Sequence, residues 1–283
     1  MSEHLDILAD EHAATSEETL EDLLSRTRRS RVPIRRTLLQ TGGRDRAPGP
    51  LHFFVSERRE RALDQYLLLH AGAAAKPWDV TQPAMTWARM MRMPAKATSE
   101  VAVSRNWRWL QDRQLVRIET SGRLRAIYLL SEDGSGLAYT RPRGPERGAE
   151  HGWFTLPYEY FRQRWDGELT LPGKATLLVC LAQAPIFNLP TERAAGWYGI
   201  SADTLQRGLD ELRSLGLLQT WSRMKKAPRA RYGVTSVNYY RLLGPFTRRV
   251  PPARNARAVA RKQDAAGHTE RLDQPLHAKG GGA

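Results

Sequence analysis

The chain has 283 residues, room for two modest domains, of which 41% are hydrophobic; 44 Lys and Arg stand against 30 Asp and Glu, for a formal net charge of +14. That excess predicts attraction to a polyanion, and a membrane is the weaker fit: no run approaches the ~18–20 apolar residues of a spanning helix. The N-terminus lacks the basic-then-apolar layout of a signal peptide, so a cytoplasmic protein is expected, and the single cysteine, Cys180, rules out an internal disulfide and a Cys-based zinc site.

Residues 1–22 are acidic throughout, with Glu3, Asp6, Asp10, Glu11, Glu17, Glu18, Glu21 and Asp22 and no Lys or Arg, so the remainder carries the larger positive excess. Thr15-Ser16-Glu17-Glu18 has the pattern of a capping box, ahead of Leu20, Leu23 and Leu24 on one helical face. Two readings are open for this segment: a disordered arm with a transient helix, or a helix that docks a protein partner or competes with DNA for a basic surface. Arg26, Arg28, Arg29, Arg31, Arg35 and Arg36 then reverse the sign, and residues 41–50 read as a Gly/Pro-rich linker.

Globular patterning starts at Leu51. His52–Val55 reads as a short strand, residues 57–73 as a helix with Leu63 and Leu67 inward, and residues 83–91 as a second helix carrying Trp87, Met90 and Met91. Pro94 stops it. Residues 99–113 form a third helix with Val103, Trp107 and Leu110 at i, i+4 and i+7, followed by alternating runs at 116–119 and 124–130 around a Ser121-Gly122 turn, a hairpin. Residues 131–152 are rich in Gly and Pro and read as a linker. Pro172-Gly173-Lys174 is similar to the end of a phosphate-binding loop, but Gly167 is one residue out of register and Ala175 replaces the Mg-binding hydroxyl, so a plain helix start is the reading there. A helix over 171–184, a short one at 191–196, a capped one at 201–215 and a hairpin over 218–243 follow.

The stretch 199–218 organises the second half. Ser201 suits an N-cap, Asp203 suits the positive end of the helix dipole, Leu205, Leu209 and Leu212 form a buried stripe, and Gly216 closes the helix. Val103, Trp107 and Leu110 align with those leucines at a constant offset of 102 residues, and Ser99 with Ser201 and Arg105 with Arg207 at the same offset. The chain therefore divides into an acidic-then-basic flexible arm (1–50), a first domain (51–132), a linker (133–152), a second domain (153–246) and a basic disordered tail (247–283) that adds non-specific phosphate contacts.

A short helix, a tight turn, a second helix and a hairpin is the order of a winged helix-turn-helix, and residues 171–243 resemble that family, with 199–218 as its recognition helix. The resemblance implies a fold that is mainly α with small β-hairpins, in two tandem copies. It departs from the family pattern in the first copy at Gln114, where a Gly normally ends the recognition helix, and in the long turn over 92–98.

Residues that face away from such a domain's core reach base edges in the major groove. In the second copy these are Asp203, able to accept from cytosine, Gln206, able to pair with adenine, and Arg207, able to fork onto guanine. Ser201 and Thr204 suit phosphates, as do Arg223, Lys225, Lys226, Arg229 and Arg231 on the hairpin. The first copy offers Ser99, Glu100, Ser104, Arg105 and Arg108, with Val101 against a thymine methyl and Arg123 and Arg125 on its hairpin. Trp87, Trp107 and Trp197 occupy core positions, and Trp109 lies off the stripe as an inter-domain or dimer contact.

No histidine spacing, carboxylate pair or nucleophile arrangement suggests catalysis, so no enzyme, cofactor or metal is expected. The expected partner is double-stranded DNA, with a protein partner at the acidic arm and a homodimer as further options and no membrane. The function read from this is a sequence-specific, nucleoid-associated transcriptional regulator. A plasmid replication initiator or partition protein shares the layout, and a winged-helix protein adaptor is the rival of another class. The second copy, with its cleaner cap and more basic hairpin, is where base readout is expected.

Overall fold

The computed structural model describes residues 13–42, 46–121, 124–142 and 152–248. The chain is 44% helix and 23% strand, a mixed α/β protein in which small antiparallel sheets carry more than hairpins.

Helix α1 (Ser16–Ser25) begins as its sequence requires. Thr15 Oγ1 accepts the Glu18 N–H at 3.1 Å while Glu18 Oε2 accepts the Thr15 N–H at 2.8 Å, a closed capping box. Leu20, Leu23 and Leu24 are buried against the body of the protein. Strand β1 (Arg31–Arg35) follows, then a 3₁₀ turn (Arg36–Leu38) and the small hairpin β2 (Gln40–Thr41) and β3 (Ala47–Pro48). Helix α2 (Leu51–Ser56) stands where a strand was expected. Leu51 and Phe54, at i and i+3, are its two buried positions, and that tertiary demand overrides the β-propensity of Phe53 and Val55.

The next six elements are α3 (Glu60–Gly72), β4 (Asp79–Thr81), α4 (Ala84–Met90), α5 (Ala97–Asp112), β5 (Val116–Ser121) and β6 (Leu124–Leu129); their three strands run β4-β6-β5. After β7 (Trp153–Pro157) and the short helices α6 (Glu159–Arg162) and α7 (Trp165–Glu168), the same order returns. It comprises α8 (Leu171–Leu181), β8 (Phe187–Asn188), α9 (Ala194–Tyr198), α10 (Ala202–Ser214), β9 (Leu218–Lys226) and β10 (Val234–Leu242), with the strands running β8-β10-β9. Strands β5 and β9 start 102 residues apart, and so do the residues that reverse the chain before them: Gln114 at φ 56° and Gly216 at φ 71°. The left-handed turn is kept although glycine is not.

The two sets of elements are not separate bodies. One continuous core runs from Leu20 to Phe246, and the described residues up to Thr247 form one compact unit. The arm expected to be flexible closes it: β1 pairs antiparallel with β7 from Arg31↔Pro157 to Arg35↔Trp153, joining the chain ahead of the first set to the chain ahead of the second. The expected linker is also built in where it is described. Glu132 is fully buried, accepting from the Arg35 backbone N–H at 3.1 Å and from its guanidinium at 2.7 Å, and Tyr139 is buried beside it. Burial pushes the Glu132 carboxyl up, against the pull of Arg35. Residues 1–12 of the acidic arm, Gly122 and Arg123, and the tail from Arg249 onward lie outside the described residues.

A polar cluster fastens the halves. Lys174, 1% exposed, donates to Asp64 Oδ2 and Glu60 Oε1, both at 2.7 Å, and the Tyr160 hydroxyl donates to Asp64 Oδ1 at 3.0 Å. The lysine of the phosphate-loop-like stretch therefore has an internal partner. Arg92, in the turn between α4 and α5, pairs with Asp166 at 3.0 Å and with Glu17 at 3.1 Å, and Arg162 pairs with Glu21 at 2.7 Å. Glu17 and Glu21 of α1 thus dock onto the chain's own arginines.

Candidate nucleic-acid interface

Helix α10 is held at three points. Ser201 caps it, accepting the Thr204 N–H at 3.1 Å. Leu205, Leu209 and Leu212 are buried, and Gly208 lies so close to α8 that a Cβ there would strike Thr176 and the Pro172 carbonyl. Glu211 accepts the Thr170 N–H at 2.7 Å, so the back of α10 caps the start of α8.

What remains faces solvent. Asp203, Gln206 and Arg207 are exposed and Thr204 is half-buried. Arg207 lies 3.1 Å from Asp203 and donates to Thr204 Oγ1 at 3.1 Å, while Gln206 donates to Asp210 at 3.1 Å. Exposed pairs of this kind are worth about 0–1 kcal/mol, so they orient the side chains without withholding them from a ligand.

The β9–β10 hairpin outgrows the core beneath it. Leu218, Tyr240 and Leu242 seat its base on one face; on the other, Trp221 stacks on Tyr239 with centroids 6.1 Å apart. Beyond Ser222 both faces are open, and there stand Arg223, Lys225, Lys226, Arg229 and Arg231, none of them buried. Arg223 lies over Tyr239 and Arg231 over Tyr232, but none of the five meets a carboxylate among the described residues. The reason is in the sequence: no Asp or Glu occurs from Leu212 to Gln263. Five uncompensated cations on a projecting ribbon make a strong positive field.

The first set presents a different face. Helix α5 starts at Ala97 with Lys96 as an uncapped N-cap, so Ser99 is a buried residue (5% exposed) inside the first turn and not the counterpart of the Ser201 cap. Arg105 and Arg108 are exposed, as is Val101 at 57%. Glu100 and Ser104 are half-buried and line, with Gln82, Trp87, Trp107 and Arg125, a cavity of about 330 Å³. On the hairpin, Arg117 pairs with Glu119 and lies 4.2 Å over Tyr128. Arg125 is turned toward the cavity, and Arg123 lies outside the described residues.

Trp87 and Trp107 are buried edge to face, 5.0 Å apart, as expected for core residues, and Trp197 is half-buried beneath Arg46. Trp109 is an internal contact: it packs on Phe54, donates to Glu57 at 2.8 Å and lies under Arg113.

Sequence reasoning missed how the arm braces α10. Gly199, at φ 63°, leads into α10 and leaves no room for a Cβ against His52 and Pro48. Gln40 donates to the Trp197 carbonyl at 3.2 Å, and the Arg46 guanidinium lies 4.5 Å over the Trp197 ring. Only the Gly-Ile-Ser turn hinted at a close approach; its partner lies in the other half of the chain. No family model matches the chain, and no curated protein or solved structure matches it. Among the described residues no helix is long and apolar enough to cross a membrane, and no group of His, Cys, Asp and Glu could hold a metal ion.

Proposed function

We propose that the two sets of elements are tandem winged helix-turn-helix modules and that the protein is a sequence-specific double-stranded-DNA-binding protein of the nucleoid, a transcriptional regulator without catalytic activity. The observation that carries this reading is the β9–β10 hairpin that follows α10, with five exposed cations that meet no carboxylate among the described residues. In this arrangement α10 enters the major groove, where Arg207, Gln206 and Asp203 meet base edges, and the hairpin lies along phosphates. The matching element order and sheet order of the first set support a second reading head, with Arg105 and Arg108 on its exposed face.

Selection of bound sequences from random duplexes by the full chain tests the proposal. A reproducible site is expected, with Arg207→Ala losing its preference and Lys225→Ala weakening all sequences alike. Binding without preference at near-physiological salt would overturn it. Mapping the selected sites on fragmented genomic DNA separates a regulator, beside promoters, from an initiator or partition protein, at iterated sites.

A further inference from the structure

The turn between α2 and α3 and the first turn of α3 hold three arginines close together, Arg58, Arg59 and Arg61. Arg59 is occupied, lying over Trp109 and 4.0 Å from Glu57. Arg58 is exposed, and its side chain has no hydrogen bond, ion pair or ring contact among the described residues. Its backbone is left-handed, φ 53°, a conformation that strains a non-glycine residue and that turns the chain from α2 into α3.

Arg58 lines a cleft together with residues of α10. The seating of Gly199 on Pro48 and His52 fixes α2 beside the start of α10, and between them opens a cleft of about 490 Å³. Its walls include Arg58 and Glu60 on one side, Thr204 and Arg207 on the other, and Thr170 and Pro172 at the start of α8. The one carboxylate there, Glu60, already holds the Lys174 ammonium at 2.7 Å. Arg207 is shared with Asp203 at 3.1 Å and Thr170 donates to Glu211, so Arg58 is the guanidinium in this open space without a carboxylate partner among the described residues, and it stands next to the residue proposed to read bases.

We infer that this cleft takes a backbone phosphate of the duplex read by α10, with Arg58 as a phosphate contact supplied from outside the helix-turn-helix. The inference rests on the proposed function. A phosphodiester fits because it needs charge and donors without base identity, and because groove reading by α10 brings backbone phosphates alongside its first turns.

The test is the salt dependence of binding by the full chain to a labelled duplex bearing its selected site and to a scrambled duplex. Arg58→Asn, with Arg58→Gly as a second variant, removes the guanidinium while suiting the left-handed backbone. The expected result is a slope of log K against log salt shallower by about one, and roughly tenfold weaker binding at 0.1 M salt, equally for both duplexes. Arg58→Lys retains the slope, and Arg61→Ala, which removes the same charge from an exposed neighbour, leaves it unchanged.

An unchanged slope in both Arg58 variants, with Arg207→Ala still losing preference, overturns this inference and leaves the DNA reading standing. Loss of preference among sequences in the Arg58 variants overturns the phosphate role. Inorganic phosphate that raises the thermal midpoint of the wild type but not of Arg58→Asn, with no change in slope, assigns the cleft to a small free anion instead. Absence of salt-dependent duplex binding by the wild type overturns both readings.

Discussion

The hairpins at Val116–Leu129 and Leu218–Leu242 occupy equivalent places after equivalent helices and present opposite surfaces. The first is shorter, six residues a strand against nine, and its described charges are used locally, Arg117 on Glu119 and Tyr128, Arg125 beside a cavity shared with Glu100. The second runs past its support, and there no packing constraint acts, so every position is free to serve an external partner. Length beyond the core, more than the helix in front of it, separates a surface suited to a polyanion from one that is not.

The largest expected effect tests that difference directly. Neutralising Arg223, Lys225, Lys226, Arg229 and Arg231 together should flatten the salt slope by about 4 and weaken duplex binding at 0.1 M salt by about 10⁴-fold. Removing Arg105, Arg108 and Arg125 from the first module should cost far less. Equal losses, measured by fluorescence anisotropy across a salt series, would erase the distinction between the modules.

The next effect concerns how firmly the modules are joined. Lys174→Met leaves Asp64 and Glu60 without their ammonium, and unfolding should become easier by about 3 kcal/mol in a denaturant titration. A cost near zero would mean that the halves do not depend on this cluster.

The same cluster predicts a pH dependence. Burial raises the Asp64 carboxyl from 3.8 to about 7, opposed by Lys174 at 2.7 Å and by the Tyr160 hydroxyl, and reinforced by nearby Asp166, which Arg92 in turn neutralises. The folded state thus binds more protons than the unfolded chain between these values. The contribution of Asp64 is fully present below pH ~4 and is lost as pH rises through ~7. Thermal midpoints measured from pH 4 to 8 should fall less steeply for Asp64→Asn than for the wild type; parallel curves would remove Asp64 as their cause.

The smallest effect separates two serines that align in sequence. Ser201→Ala removes a cap and should cost about 1 kcal/mol, whereas Ser99→Ala, inside a helix that starts earlier and has no side-chain cap, should cost less than about 0.5 kcal/mol. Similar costs would restore the symmetry that the sequence suggested.

Local chemistry made much of this legible in advance. The Thr15 capping box, the Ser201 cap, the Leu205–Leu209–Leu212 stripe and both hairpins rest on interactions within a few residues or on a simple period, so the chain itself specifies them. The 102-residue offset held for the apolar stripe and for the chain reversals at Gln114 and Gly216, and failed at Ser99, where helix length is decided by packing.

Tertiary structure alone decided the rest. A strand such as β1 has no signal naming β7 as its partner more than a hundred residues away, and Arg35, Lys174 and Arg92 look like ordinary solvated cations until Glu132, Asp64 and Asp166 are brought to them. Arg58 shows the same limit from the other side. Its charge is plain in the sequence, but its place beside Arg207 follows only from Gly199 seating on His52. Short-range periodicity is written in neighbouring residues, whereas the pairing of distant charges depends on the closure of the whole chain.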